Sequence, residues 1–366
     1  MKPIIRLSQI TLYTLFFSQF ASAQYDSSAW IKNPEISFSG YLDNYFAYDF
    51  NKPNTTYRQT FLYNHNRHNA FSLNLGYIKV SAKHQKYRAN IALQAGTYVN
   101  DNYATEDETL KHVFESNAGI SLNKKNNLWL DAGIFGSPIG FESAISKDNW
   151  TLTRSLLAEN SPYYLSGAKL TYNPNKNWEM AGIICNGWQR IHKLPGYAMP
   201  GFCTQIKYSN TNKLTLNWST FIGSAYPDSI RRMRYFNNFY MQSQLTKKIG
   251  LIAGFDIGIQ QIKKGSREYN TWFSPVLIAR FFVSDKFFTA LRAEYYADKS
   301  GIIIPTNTYN GFKTSGISLN LDYLPSKNIA CRVEGRWLKS KDNIFTKHNH
   351  FVNSNFALVS SIAVSF

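Results

Sequence analysis

Residues 356–366 read FALVSSIAVSF. Successive side chains of an extended chain point to opposite faces, so Phe356, Leu358, Ser360, Ile362, Val364 and Phe366 share one face. The stretch fits a β-strand with one largely apolar side, and it stops on an aromatic residue.

The same theme runs back to Phe38, in segments of roughly ten residues separated by turn formers. Ala89, Ile91, Leu93 and Ala95 alternate with Asn90, Ala92, Gln94 and Gly96. Leu214, Leu216, Trp218 and Ile222 alternate with Thr215, Asn217 and Ser219. Ile317, Leu319, Leu321 and Tyr323 stand against Ser318, Asn320 and Asp322. A soluble sandwich alternates too, so alternation alone does not place the chain in a membrane.

The connections discriminate better. Short polar ones fall at 83–86, 123–127, 173–177, 209–213, 246–248, 284–286 and 325–328. Longer stretches lie between them, around 51–70, 101–111, 137–162, 188–200, 224–234, 262–270, 297–311 and 339–352. Strict alternation of turn and loop is the rhythm of a membrane barrel with short periplasmic turns and long outer loops. The expected fold is all-β: a transmembrane antiparallel up-and-down β-barrel of about 16 strands over 37–366, wide enough for an aqueous channel.

Composition and the N-terminus agree. Aromatic residues make up 16% of the chain, yet no run approaches 18 apolar residues, which excludes a helical membrane span. Lys2 and Arg6 precede an apolar run from Ile10 to Phe20 and the triplet Ala21, Ser22, Ala23, the pattern of a cleaved Sec-type signal peptide over 1–23. Residues 24–36 would then form a short periplasmic segment. The last strand resembles the signal by which the barrel-assembly machinery recognises outer-membrane proteins, so that machinery is an expected partner through Phe366. Outer-membrane lipid and lipopolysaccharide would surround a barrel in the outer membrane of a Gram-negative cell. A homotrimer fits as well as a monomer, because oligomer contacts would lie on the outward face.

The formal net charge is +17, including Lys2 and Arg6 of the leader. Much of the excess sits in or beside the short turns, at Lys83, Lys86, Lys124, Lys125, Lys176, Lys213, Lys247, Lys248, Lys286 and Lys327. That placement reads as solvated turn residues that also meet lipid phosphates, and no nucleic-acid partner is expected.

A charge on the lipid face near the midplane costs about 2–4 kcal/mol, so charged strand residues should face the lumen. Asp131, Lys169, Lys207 and Asp256 fall on polar faces. Consecutive strands carry Arg292 and Glu294, then Asp322, then Arg332, Glu334 and Arg336. This cluster reads either as one wall of a constriction with a transverse field, or as compensated ion pairs that keep the interior wet. Arg280 lies among Ile278, Phe281 and Phe282, so either face assignment puts apolar groups inside. The longest loop, 137–162, carries Glu142, Lys147, Asp148, Arg154 and Glu159. Its 149–159 stretch suggests a short helix capped by Asp148, and the loop is expected to fold into the barrel and narrow it.

Several long runs resemble the OmpL-like β-barrel porins of Bacteroidota. They are FSGYLDNYFAYDFNKP from Phe38, FLYNHNRHNAFSLNLGYIK from Phe61, GTYVNDNYA from Gly96, the run LWLDAGIFGSPIGFESAISKDNWTLTRSLLAENSPYYLSGAKLTY from Leu128, and GWQRI from Gly187. The resemblance implies a porin-type pore for small hydrophilic solutes and supplies no catalytic residue. Its most recognisable block contains Glu142, Arg154 and Glu159, which raises their standing as pore-facing candidates.

Two rival classes remain. A hydrolase would need a nucleophile, a base and an orienting group, but no G-x-S-x-G, H-E-x-x-H or Cys-x-x-Cys motif is present, so neither catalytic residue nor cofactor is expected. His65, His68, His348 and His350 fall in outer loops without acidic neighbours in sequence and read as solvated rather than metal-binding. Cys185, Cys203 and Cys331 read as small buried thiols, although Cys185 and Cys203 flank one loop and could pair. A receptor or adhesin could instead use loop tyrosines such as Tyr57, Tyr63, Tyr103, Tyr163, Tyr164 and Tyr309 to stack on a ligand.

Overall fold

The computed structural model describes residues 30, 32–196, 199–210 and 213–366. The expected signal peptide lies outside the described residues, as does most of 24–36. In chain order the strands are β1 (Glu35–Asp49), β2 (Phe71–Lys83), β3 (Tyr87–Ala95), β4 (Val113–Ser121), β5 (Leu128–Gly136) and β6 (Tyr164–Asn175). They continue with β7 (Trp178–Cys185), β8 (Gly201–Asn210), β9 (Leu214–Ser224), β10 (Met233–Gln244), β11 (Ile249–Gln261) and β12 (Tyr269–Phe282). The chain ends with β13 (Phe287–Asp298), β14 (Phe312–Ser326), β15 (Ile329–Ser340), β16 (Phe345–Lys347), β17 (His350–Val352) and β18 (Ser354–Ser365).

All but β16 and β17 close into one antiparallel barrel of 16 strands. Each barrel strand pairs with its neighbour in sequence, and β18 pairs with both β15 and β1. Closure satisfies every strand edge internally, the condition for crossing a bilayer with strands. Strands β16 and β17 form a small hairpin within the last long loop. No described helix is long and apolar enough to cross a membrane.

The seam shows why the terminal strand reads as it does. Phe356, Leu358, Ile362 and Phe366 project outward, while Ala357, Val359 and Ala363 are buried inside. Tyr41 stands opposite Ser365, and Gly40 exchanges backbone hydrogen bonds with Phe366 at 2.8 and 3.0 Å. A Cβ on Gly40 would lie 2.3 Å from the Phe366 ring, so the missing side chain is what lets that ring lie across the seam. Outward leucines, isoleucines and aromatics recur on the other strands, Ile317, Leu319 and Leu321 among them, as a lipid-facing surface requires.

Inside, the barrel is not uniformly polar. Ile183, Cys203, Phe221, Phe236, Trp272, Phe312 and Leu338 all point inward toward the long-loop end. Phe61, Leu62, Ile139, Leu156, Ile304 and Phe345 from the loops complete one buried apolar cluster with them. Cys185 and Cys203 belong to it as free thiols.

Candidate pore and constriction site

The loop between β5 and β6 turns inward and crosses to the opposite wall. Near its start, the Pro138 carbonyl accepts hydrogen bonds from Ser219 Oγ on β9 at 2.7 Å and Gln205 Nε2 on β8 at 3.4 Å. The Gly140 N–H donates to Asn238 Oδ1 on β10 at 3.0 Å. The loop then descends toward the short turns: Ser146 Oγ meets the Tyr41 hydroxyl at 2.8 Å, and Lys147 Nζ donates to the Lys327 carbonyl at 2.8 Å. It climbs back along β13–β15, where the Leu152 N–H donates to Asn320 Oδ1 at 3.0 Å and the Thr153 N–H to Glu334 Oε2 at 2.6 Å.

Charged wall residues hold this second leg. Arg292 donates to Thr151 Oγ1 at 3.0 Å and to the Thr153 carbonyl at 2.7 Å, and pairs with Glu334 at 2.7 Å. Arg332 pairs with Asp322 at 2.7 Å and donates to the Ser146 and Asn149 carbonyls at 2.5 and 3.0 Å. Glu294 accepts the Leu156 N–H at 2.7 Å and pairs with Arg336 at 2.7 Å. The side chains of these six residues are at most 2% exposed. This wall, read either as a transverse field or as compensated ion pairs that keep the interior wet, is occluded: Arg292, Arg332, Glu294 and Glu334 bond the loop backbone, and Arg336 and Asp322 pair with them. Buried ions persist when paired, and each of these six has an ion-pair partner; Arg292 Nε and Arg336 Nη2 make no hydrogen bond and are held by ion pairs with Glu294 alone.

The same contacts correct the expected helix. Only Leu156–Glu159 is helical, and its cap is Ser155, whose Oγ accepts the Ala158 N–H at 3.2 Å, rather than Asp148. From 149 to 153 the backbone runs through a series of bends, with Leu152 and Thr153 bonded to the wall instead of to their own helix. Apolar anchors complete the docking. Leu157 and Ala158 pack on Ile252, Val276, Ile278 and Ala290 of β11–β13, with Phe141 and Trp150 alongside. Gly250 and Gly254 on β11 leave the space for two of these rings: a Cβ at either would lie 2.5 and 2.6 Å from Trp150 and Phe141 respectively. The apolar inward positions around Arg280 are thus the floor on which the loop lies.

Within the loop, the expected pore-facing residues divide. Arg154 is fully buried and donates to the carbonyls of Ser143, Ala144 and Leu152 at 2.6–2.8 Å, stapling the loop to itself. Glu142 accepts from the Ser155 N–H at 3.1 Å and from its hydroxyl, and burial pushes its carboxyl up. Glu159 reaches the first loop, accepting the Tyr63 N–H at 2.9 Å and the Asn64 N–H at 3.3 Å; burial pushes it up to about 7. Lys147 and Asp148 keep part of their surface exposed.

The first loop is drawn in as well. His65, expected to be solvated, is wholly buried with Nε2 3.0 Å from Asp43 Oδ2, because its loop folds beneath the rim instead of into solvent. Tyr103 and Tyr164 stack on one another at 4.0 Å and are buried, whereas Tyr309 is 93% exposed. Among the described residues no group of three or more His, Cys, Asp or Glu could hold a metal ion.

What stays open is the other half of the lumen. A strongly polar cavity of about 450 Å³ lies against β3–β10, beneath Gly136–Gly140, and is lined by Arg88, Glu115, Asp131, Lys169, Glu179 and Lys207 among others. Arg88 holds Asp131 bidentately at 2.7 and 2.6 Å, and Glu115 pairs with Lys79. Asp131, Lys169 and Lys207 were legible as polar-face residues. Glu179 and Glu115 carried the same signal, a charge at the inward phase of an alternating strand.

A closed 16-strand barrel with an inward third loop and a charged lumen defines a porin-type channel. The chain matches the family "beta-barrel porin-2, OmpL-like" over residues 35–366, and it belongs to that family. Solved porins share the fold. The anion-selective porin from Comamonas acidovorans superposes with a TM-score of 0.62 at 12% identity, covering 91% of this chain and 100% of that one. The DcaP outer-membrane channel of Acinetobacter baumannii gives 0.61 at 9% identity over 91% and 98%. OmpF of Salmonella typhi, solved in complex with daunomycin, gives 0.60 at 10% identity over 91% and 98%. No curated protein matches this chain in sequence.

Proposed function

We propose that this outer-membrane porin passes small hydrophilic solutes through the half-lumen bounded by β3–β10, with the inward loop as its constriction. The polar cavity beneath Gly136–Gly140 carries this reading: it is the part of the lumen where wall charges face water instead of a loop. Planar-bilayer recordings of the purified protein test the reading. Small discrete conductance steps are expected, and their absence across a range of salts would sink it.

Delivery by the N-terminal signal and assembly through the Phe366 strand follow the same reading, as does embedding among outer-membrane lipid and lipopolysaccharide. A homotrimer is the proposed assembly, in line with the trimer form solved for OmpT of Vibrio cholerae. Cross-linking in outer-membrane extracts would reveal a single chain only, if that proposal is wrong. The proposal assigns no catalysis, and lipase and protease assays on the same material should stay at background.

A further inference from the structure

Among the described residues, three charged groups in the open half-lumen lack an ion-pair partner. Lys169 on β6 faces Asp131 in register, but Asp131 is committed to Arg88 by two short hydrogen bonds. Lys169 Nζ lies instead 4.7 Å from the centre of the Phe135 ring, which holds the ammonium at the cavity wall. Lys207 on β8 faces Glu179 on β7, yet the two form no ion pair within 4.0 Å. The remaining carboxylates of the lining, Asp131 and Glu115, are already neutralised by Arg88 and Lys79. The unpaired set is therefore two ammonium groups and one carboxylate, in a cavity of about 450 Å³ with little apolar surface.

We infer that Lys169 and Lys207 form a binding step for small organic carboxylates on the turn side of the constriction. The inference rests on reading this half-lumen as the solute path. Lys169 stands opposite Ile183 and Lys207 opposite Glu179, four residues apart along β7, so the two ammonium groups lie at successive depths of the cavity, and their long flexible side chains bring both toward one dicarboxylate between them. Low-dielectric walls and the loop overhead shield the pair from bulk salt, so its attraction for an anion exceeds that of a rim lysine. Glu179 at the same mouth, unpaired and opposite in sign, adds a partner for the ammonium group of an amino-carboxylate.

Two measurements on the full chain separate this inference from the channel reading. Titration calorimetry of the detergent-solubilised protein with succinate and with glutamate needs no conductance. The double variant Lys169→Gln/Lys207→Gln should weaken both by about tenfold, while Lys169→Arg/Lys207→Arg keeps binding within about twofold, because charge rather than shape carries it. In bilayers, zero-current potentials in a potassium chloride gradient should show anion preference in the parent protein and a several-fold lower preference in the glutamine variant. Equal succinate affinity in parent and glutamine variant, at unchanged heat stability, overturns the inference whatever the conductance shows. Absent conductance steps with lysine-dependent succinate binding would remove the channel reading and leave the binding site standing.

Discussion

The two halves of this lumen are built from the same alternating strands and put to opposite uses. Along β11–β15 and β1, inward charges are sealed under the third loop: Arg292, Arg332 and Arg336 pair with Glu334, Asp322 and Glu294 and hold its backbone. Along β3–β10, Arg88, Lys169, Glu179 and Lys207 face a polar cavity. The difference is not one of charge, since both halves mix signs. It comes from what lies between the charges. The sealed half offers Ile252, Val276, Ile278 and the glycines of β11 as an apolar floor, and at the same depth the cavity of the open half is lined by Asn90, Asn117, Thr171 and Gln205. Charge on a barrel wall becomes a clamp where apolar neighbours let a loop dock, and a solute contact where they do not.

Removing the loop should erase the comparison, with the largest effect. Replacing 141–160 by a short Gly-Ser linker unseals the clamp, and single-channel conductance should rise by roughly threefold or more, since a barrel of this strand number encloses an aqueous lumen when unplugged. Unchanged conductance would mean that the loop is not the constriction.

Breaking the clamp at one residue comes next. Glu334→Ala removes the nearer carboxylate of the buried Arg292, leaving it Glu294 at 3.4 Å, and removes the acceptor for the Thr153 N–H, a loss of about 3 kcal/mol in loop docking. Limited proteolysis should then cut within 141–160 while the barrel stays heat-resistant. Ion preference should stay put, because these charges do not touch the solute path.

A smaller loss follows from filling the floor. Gly254→Leu overpacks the site of Phe141 and should cost about 1–3 kcal/mol, with noisier openings in bilayer recordings. The matched change Ala181→Leu, on the open side, should narrow the cavity and lower conductance without exposing the loop to protease.

The smallest effect is a pH dependence between the loops. Burial holds Glu159 at about 7 when docked, above its ordinary value, so the docked state binds the extra proton. The stability this contributes is full below about pH 4.5 and is lost as pH rises through about 7. Protection of the 61–66 segment in hydrogen exchange should therefore fall from pH 5 to pH 8, and Glu159→Gln should flatten that trend. A rising protection with pH would reverse the assignment.

Much of the barrel could be read from the chain because its information is local. Alternation such as Leu214, Leu216, Trp218 against Asn217 and Ser219 fixes which face meets lipid, and polar turns such as Asn173–Asn177 mark where strands reverse. The candidate site was legible only in part. Asp131, Lys169 and Lys207 were recognisable as inward charges, and the third loop as an inward one. Its partners were not, because Arg292 meets Thr153 across 139 positions of sequence and His65 meets Asp43 only once the first loop folds under the rim. One unused clue was present: Gly250, Gly254 and Gly258 recur on the inward phase of β11, where each makes room for an aromatic ring.

The sequence by itself determined the barrel, its strand rhythm, its turn and loop ends and the face each side chain takes, because period-2 alternation and turn chemistry act between near neighbours. Only the tertiary structure decided which inward charges meet water. That choice depends on where a long loop comes to rest. The loop rests where wall glycines, apolar side chains and paired ions from distant strands together satisfy its backbone.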